Sequence, residues 1–303
     1  MRDVASEIAS VTPSSVERAA RDLAAHLPPT PLQYSRAFTD KVRCHVHIKV
    51  ESIQPIRAFK VRGALTKIMR LLPEKSRAGV VTASAGNHGQ GVAYAAAVFK
   101  IPATVYVPET ANQLKVEAIK RLGAKVVLAG RNYHDAYLEA MRQQAEGGAT
   151  FVHAFDDPDV IAGQGSIAVE LLRDLEDFDT VLVPIGGGGL IGGISLYIKE
   201  MLPHVRVIGV EPSGADGMSR SLQAGRVVTL DQPPEVVSLS RWECILKIEM
   251  LFSDAEKWPE TLAYQTRDQD SPWAELQAPL LAELDALIKR DFFKKGNGCP
   301  RCN

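Results

Sequence analysis

From about residue 43 to 230, short apolar runs rich in β-branched residues alternate with longer amphipathic stretches, and this alternation restricts the fold most. The runs are Cys44–Val50, Gly79–Ala83, Ala103–Val107, Lys125–Ala129, Thr150–Ala154, Thr180–Pro184 and Val205–Val210. Most are near-continuously apolar, as parallel strands covered on both faces are. Between them, Gln113–Leu122, His134–Ala145 and Asp159–Leu172 carry helical spacing. Strand, helix, strand at this interval predicts serial βαβ units, hence an α/β fold with parallel sheets.

A chain of 303 residues can bury a core without disulfide or metal staples. Its net charge of −1 sets up no strong field for nucleic acid or an anionic membrane, so a small-molecule partner is expected. No apolar stretch approaches the ~20 residues of a spanning helix, and MRDVASEIAS lacks the apolar centre of a secretory signal. Cys44, Cys244, Cys299 and Cys302 are too sparse for a disulfide framework. The expected location is cytoplasmic.

The segment after residue 231 reads differently. Trp242, Trp258 and Trp273 are all the tryptophans of the chain, and of its 23 glycines only Gly296 and Gly298 fall here. Glycine-punctuated strand-turn-helix chemistry gives way to a charged segment expected to be helical or poorly ordered.

Three turns carry the chemistry. Gly186-Gly187-Gly188-Gly189 lies between the run Thr180–Pro184 and the helical stretch Leu190–Met201. Four residues without Cβ let consecutive N–H groups curl around an anion at a helix start, which points to phosphate. Gly187-x-Gly189-x-x-Gly192, with Glu211 at the end of the next strand, also satisfies a dinucleotide fingerprint, leaving that alternative open. Ser84-Ala85-Gly86-Asn87-His88-Gly89-Gln90-Gly91 opens another helix, where free N–H groups could hold a carboxylate or simply form a capping turn. His88 alone reads as a solvated or core-satisfied histidine. Arg57-Ala58-Phe59-Lys60-Val61-Arg62-Gly63-Ala64 places a lysine beside an aromatic and other cations. Desolvation there would make Lys60 a nucleophile for an aldehyde.

Phe59–Ala64, Ser84–Gly91 and Gly186–Leu190, in this order and spacing, resemble the threonine dehydratase and serine racemase family of fold-type II pyridoxal-phosphate enzymes. Thr30-Pro31-Leu32, Phe155-Asp156-Asp157, Gly163-Gln164-Gly165 and Gly209-Val210-Glu211-Pro212 extend the resemblance over about residues 30 to 230. It implies a two-domain α/β architecture with the cofactor between the domains. The large domain would be 1–51 with 154–231, the small domain 52–153, and 232–303 an atypical C-terminal segment. Pyridoxal 5'-phosphate would be carried on Lys60 next to Phe59. Gly186, Gly187, Gly188, Gly189 and Leu190 would hold its phosphate, and Asn87 its ring hydroxyl. Ser84, Ala85, Gly86, Asn87 and His88 would receive the carboxylate of a small hydroxy amino acid, with Lys60 as general base. The products would be a 2-keto acid and ammonia, and the assembly a homodimer.

Departures from the family pattern refine this. Racemising members carry serine where this chain has Ala85, so elimination is expected rather than racemisation. The family's divalent-cation site falls on Glu211 and Ala215, but its last ligand position is Gly217, with Asp216 one residue early. The segment that meets the pyridine nitrogen is not evident after about residue 232; Lys295–Cys299 is a superficial echo, and Cys299–Cys302 is half a zinc site at most. A catalytically silent homologue that binds the cofactor weakly is the second alternative.

Overall fold

The structure, a computed structural model, describes residues 10–71, 73–212 and 215–230 and the backbone of 243–250 and 262–267. The described chain runs α1 (Pro13–Leu23), β1 (Leu32–Tyr34), α2 (Arg36–Val42) and β2 (His47–Lys49), then a 3-10 turn at Glu51–Ile53. Next come α3 (Lys60–Met69), α4 (Pro73–Ala78), β3 (Val80–Ala83), α5 (Asn87–Phe99), β4 (Ala103–Val107) and α6 (Gln113–Arg121). They are followed by β5 (Lys125–Leu128), α7 (Tyr133–Gly147), β6 (Thr150–Phe151) and α8 (Pro158–Asp174). The remainder is β7 (Thr180–Pro184), α9 (Gly189–Met201), β8 (Arg206–Pro212), α10 (Gly217–Ala224), β9 (Glu243–Met250) and β10 (Leu262–Arg267).

Two compact units divide these elements. The first holds the chain up to Pro31 with Val50–Glu176 and Gly187–Pro203. Its sheet has the order β5-β4-β3-β6, with every pairing parallel. The period of two sorts the strand residues between faces. Val105 and Val107 pack with Val116 and Ile119 on one side, while Val81, Ala83 and Tyr106 pack with Ala136 and Ala140 of α7 on the other. All four residues of β3 are buried, as a central parallel strand requires. Val61, Ala64, Leu65 and Ile68 of α3 interlock with Val92, Ala95 and Ala96 of α5. The expected smaller domain, 52–153, lies wholly within this unit.

α3 is fixed at its first turn by a buried ion network. Arg62 has 1% of its surface exposed. Its Nε and one terminal nitrogen each bond Glu51 at 2.8 Å, and its other terminal nitrogen bonds Glu170 of α8 at 2.6 Å and Ser166 at 3.1 Å. Thr30 closes the network by donating its hydroxyl to Glu51 at 2.6 Å and its N–H to Glu170 at 3.1 Å. Guanidinium and two carboxylates thus satisfy one another with little water.

The second unit gathers Leu32–Lys49, Asp177–Gly186 and the described chain from His204 on. Its larger sheet has the order β10-β9-β8-β7. β7 and β8 pair in parallel, while β9 and β10 add antiparallel. Where the charged composition after 232 leans to helix, both described stretches are strands, seated on the edge of β8. The run Cys44–Val50 also departs from the parallel pattern. It shortens to β2 and pairs antiparallel with β1, because Arg43, at φ 55°, ends α2 and turns the chain back. No helix among the described residues is long and apolar enough to cross a membrane.

Candidate active site

Lys60 is the first residue of α3, with Phe59 before it, and no side chain caps this start. Here the helix dipole disfavours a cation. Lys60 Nζ donates to the Ala154 carbonyl at 2.8 Å and stands 5.4 Å from the centre of the Phe59 ring. Burial lowers its pKa from 10.5 to about 8, because an ammonium loses its hydration when enclosed. At pH 8 about half of such an amine is neutral, against roughly 0.3% of an unperturbed lysine. It is therefore equipped as a nucleophile or base.

Ala154 lies on the loop from β6 to α8. The strand expected over Thr150–Ala154 stops at Phe151, because the following carbonyls bond side chains instead of a ladder. Val152 O lies 2.9 Å from both Thr82 Oγ1 and His88 Nε2, and Ala154 O accepts from Lys60. Phe155, one residue on, lies against the glycine run. A Cβ on Gly187 would run into the Phe155 ring, and one on Gly189 would come within 2.9 Å of the Phe155 carbonyl. Gly188 takes φ 86°, a left-handed turn, and leads into α9 without a side-chain cap. Gly189 and Leu190 thus begin a helix whose first N–H groups have no partner within it. Gly186 is exposed, with no atom within 4 Å of where its Cβ would be.

The third turn joins β3 to α5. Gly86 precedes α5, again with no side-chain cap, and Ser84 Oγ accepts the Gly86 N–H at 3.2 Å. Asn87 is exposed, Ala85 and Gly86 are half-buried, and His88 is buried. The His88 ring faces inward to Val152, and burial pushes its pKa down to about 3, with Lys60 and His153 adding to the effect. It is a neutral core histidine, so any substrate contact here falls to backbone and to the exposed edge. Ala85 packs its methyl against the cluster of Val105 and Ile119.

Glu211 is buried in the second unit. Its carboxylate oxygens accept the N–H groups of Met218 at 3.1 Å and Ser219 at 2.9 Å, serving the start of α10. Ala215 lies just before that helix. Among the described residues no group of three or more His, Cys, Asp or Glu side chains could hold a metal. Lys295–Cys299 and Cys299–Cys302 lie outside the described residues. A cavity of about 660 Å³ at the far end of α3, lined in part by Lys67, Arg70 and Asp157, includes none of the expected site residues.

An amine lowered toward neutrality, a glycine turn wedged by an aromatic ring and an uncapped turn before α5 also mark the stretch that matches known proteins. Residues 23–245 match the family model described as pyridoxal-phosphate dependent enzyme. The chain belongs to this family. It is 48% identical over 211 residues to an L-threonine ammonia-lyase of Geobacter sulfurreducens, covering 70% of this chain and 52% of that one. Against an L-threonine ammonia-lyase of Thermotoga maritima it is 44% identical over 224 residues, 74% of this chain and 56% of the other. Among solved structures it is similar to maize serine racemase, with a TM-score of 0.72 at 35% identity over 74% of this chain and 68% of that one. The chain spans about half the length of the two ammonia-lyases. The resemblance carried by Phe59–Ala64, Ser84–Gly91 and Gly186–Leu190 is borne out.

The residues of this family member fit pyridoxal phosphate. Lys60 offers an amine near pKa 8, and the start of α9 offers unpartnered N–H groups behind a left-handed glycine. Two participants were not visible as motif members, the Ala154 carbonyl and His153; Phe155 stands in the string Phe155-Asp156-Asp157, which carries no hint that its ring backs the glycine run.

Proposed function

We propose that the chain is a pyridoxal-phosphate-dependent ammonia-lyase that converts a small hydroxy amino acid, L-threonine, L-serine or both, to a 2-keto acid and ammonia. The observation that carries this reading is Lys60 itself: a partly desolvated amine at an uncapped helix start, held at 2.8 Å by the carbonyl next to the ring that wedges Gly187. The ammonia-lyase relatives support the choice of substrate.

Pyridoxal phosphate, when bound, supplies an aldehyde for the substrate amine and an electron sink for its α-carbon. Gly186, Gly187, Gly188, Gly189 and Leu190 would hold the phosphate through backbone N–H groups, the arrangement that suits an anion at a helix start. Asn87 would meet the ring hydroxyl from the exposed edge of α5. The turn Ser84–His88 would receive the substrate carboxylate on its backbone. Lys60 Nζ would take the α-proton, which its lowered pKa permits near neutral pH. Ala85 offers no hydroxyl to return a proton to the opposite face, which favours loss of the β-hydroxyl over racemisation. The smaller domain, 52–153, would carry Lys60 and Asn87, and two copies would form a homodimer. Glu211 and Ala215 stand only as a candidate cation site.

The deciding experiment adds pyridoxal phosphate to the purified chain and records visible absorbance, then reduces with borohydride and maps the labelled peptide. Label on Lys60 together with keto acid from L-threonine supports the reading, and chiral analysis should find almost no D-serine from L-serine. Label on Lys60 without keto acid would instead identify a silent homologue. Label on another lysine overturns the assignment.

A further inference from the structure

The loop from β6 to α8 gives the site two groups, the Ala154 carbonyl at Lys60 and the Phe155 ring at Gly187, and no ladder or helix holds either. His153 does. Its Nδ1 lies 2.8 Å from the N–H of Asp156 and 3.3 Å from the N–H of Phe155. Both partners are donors, so Nδ1 is unprotonated and the ring proton sits on Nε2. The imidazole meets the Phe155 ring edge-on, 4.7 Å between centres, and its centre stands 6.1 Å from that of Phe151 of β6. Side-chain acceptors that close turns on nearby backbone N–H groups are ordinarily Asp or Asn, and Asp157, the last residue of the same loop, does this at the start of α8. At 153 the acceptor is instead a group that protonation converts into a donor.

The charged and titratable groups around the ring are Lys60 of α3, His88 of α5, and Asp156 and Asp157 of its own loop. Burial, with the help of Lys60, lowers the pKa of His153, while the two carboxylates oppose that shift. The balance keeps the acceptor form in place at neutral pH.

We propose that His153 is a positioning residue, whose neutral Nδ1 fixes the turn Ala154–Asp156 and so places both the carbonyl that engages Lys60 and the ring that backs the glycine run. The proposal rests on Lys60 as the cofactor-bearing residue. Protonating His153 sets an N–H against two N–H groups, opens the turn, and loosens the cofactor on the acid side.

The test measures pyridoxal phosphate affinity of the full chain against pH for the unmodified protein, His153→Phe and His153→Asn, with borohydride mapping at each step. Phenylalanine keeps the ring packing and removes the acceptor; asparagine supplies an acceptor that does not titrate. The expected result is at least tenfold weaker binding for His153→Phe at pH 8. His153→Asn should stay within threefold of the unmodified protein and lose its acid-side weakening. Histidine-selective ¹⁵N spectra, assigned by His153→Asn, should show an unprotonated Nδ1 at pH 7. Unimpaired binding by His153→Phe, an unchanged acid limb in His153→Asn, or a protonated Nδ1 overturns the proposal. Should His153→Phe fail to fold, the pH profile of His153→Asn and the spectrum decide alone. Label absent from Lys60 in every form would sink the Lys60 reading instead, so the two failures are distinguishable.

Discussion

Within the first unit, α1, α6, α7 and α8 begin under a side-chain cap from Thr12, Asn112, Asn132 and Asp157. By contrast α3, α5 and α9 begin without one, behind Phe59, Gly86 and Gly188. These are the three turns singled out by motif. A cap contributes about 1 kcal/mol, so the uncapped starts forgo a gain that the same fold takes elsewhere. What α5 and α9 keep is an open helix start, with no side chain on its first N–H groups, suited to carboxylate or phosphate. In this unit the four capped helices close their own ends, and the open starts of α5 and α9 are where the proposed function puts its anions. At α3 the missing cap is offset from below, by Arg62 and its two carboxylates.

The strongest way to break this contrast is at Lys60. Lys60→Ala should cut keto-acid formation from L-threonine at least about 10³-fold, the scale of a lost general base, with an unchanged circular dichroism spectrum because alanine suits a helix start. Activity within tenfold of the unmodified chain would remove the α3 start from the chemistry. Next in size is Arg62→Met, which strands Glu51 and Glu170 without their counter-ion. Such a break costs about 3–5 kcal/mol, whereas Asn132→Ala, an ordinary lost cap, should cost about 1 kcal/mol. Urea midpoints compare the two. If Arg62→Met costs no more than Asn132→Ala, the network is not what stands in for the missing cap.

The pH dependence of Lys60 sharpens the contrast further. Its folded pKa, about 8, lies below the 10.5 of the unfolded chain, so between these values the unfolded state binds more protons and stability rises with pH. The cost of enclosing the ammonium is fully present below about pH 8. In the cofactor-free protein, amine-directed labelling of Lys60 should reach half its limit near pH 8, while exposed lysines reach theirs more than two units higher. A Lys60 midpoint shared with the exposed lysines would mean that the amine is solvated.

Much of this was legible in the chain. Ala103–Val107 and Thr180–Pro184 are strands with the expected bounds, because continuous apolar runs bounded by turn residues leave few alternatives. The order of the three turns was legible for a related reason: glycine and a lysine beside an aromatic are chemically conspicuous. The Ala154 carbonyl was not, since every residue has one and only the fold brings it to Lys60 across 94 residues. His153 escaped for the opposite reason: a lone histidine has many roles, and the acceptor role is set by two N–H directions. The strands β9 and β10 were not legible, because a charged composition favours helix while the pairing at the edge of β8 exists only in the fold.

The smallest expected effect is the most specific to the comparison, because it should move stability and binding in opposite directions. Gly86 has an extended backbone (φ −117°, ψ −151°), and a Cβ there would meet only Ser84 Oγ, at an ordinary 3.9 Å. Gly86→Asp can therefore be accommodated, and its carboxylate would cap α5 as Asp157 caps α8. The gain should be about 0.5–1 kcal/mol, from the cap and from negative charge at the positive helix end. Gly86→Ala offers no oxygen, so it isolates the part of any gain that comes from restricting the unfolded chain. For the substrate the outcome should be adverse: the new carboxylate occupies and repels at the place proposed for the carboxylate of L-threonine. The KM for L-threonine should rise at least tenfold in Gly86→Asp and far less in Gly86→Ala, with pyridoxal phosphate affinity little changed in both. A Gly86→Asp protein that is more stable and binds L-threonine as before would show that the open start of α5 is not kept for the substrate.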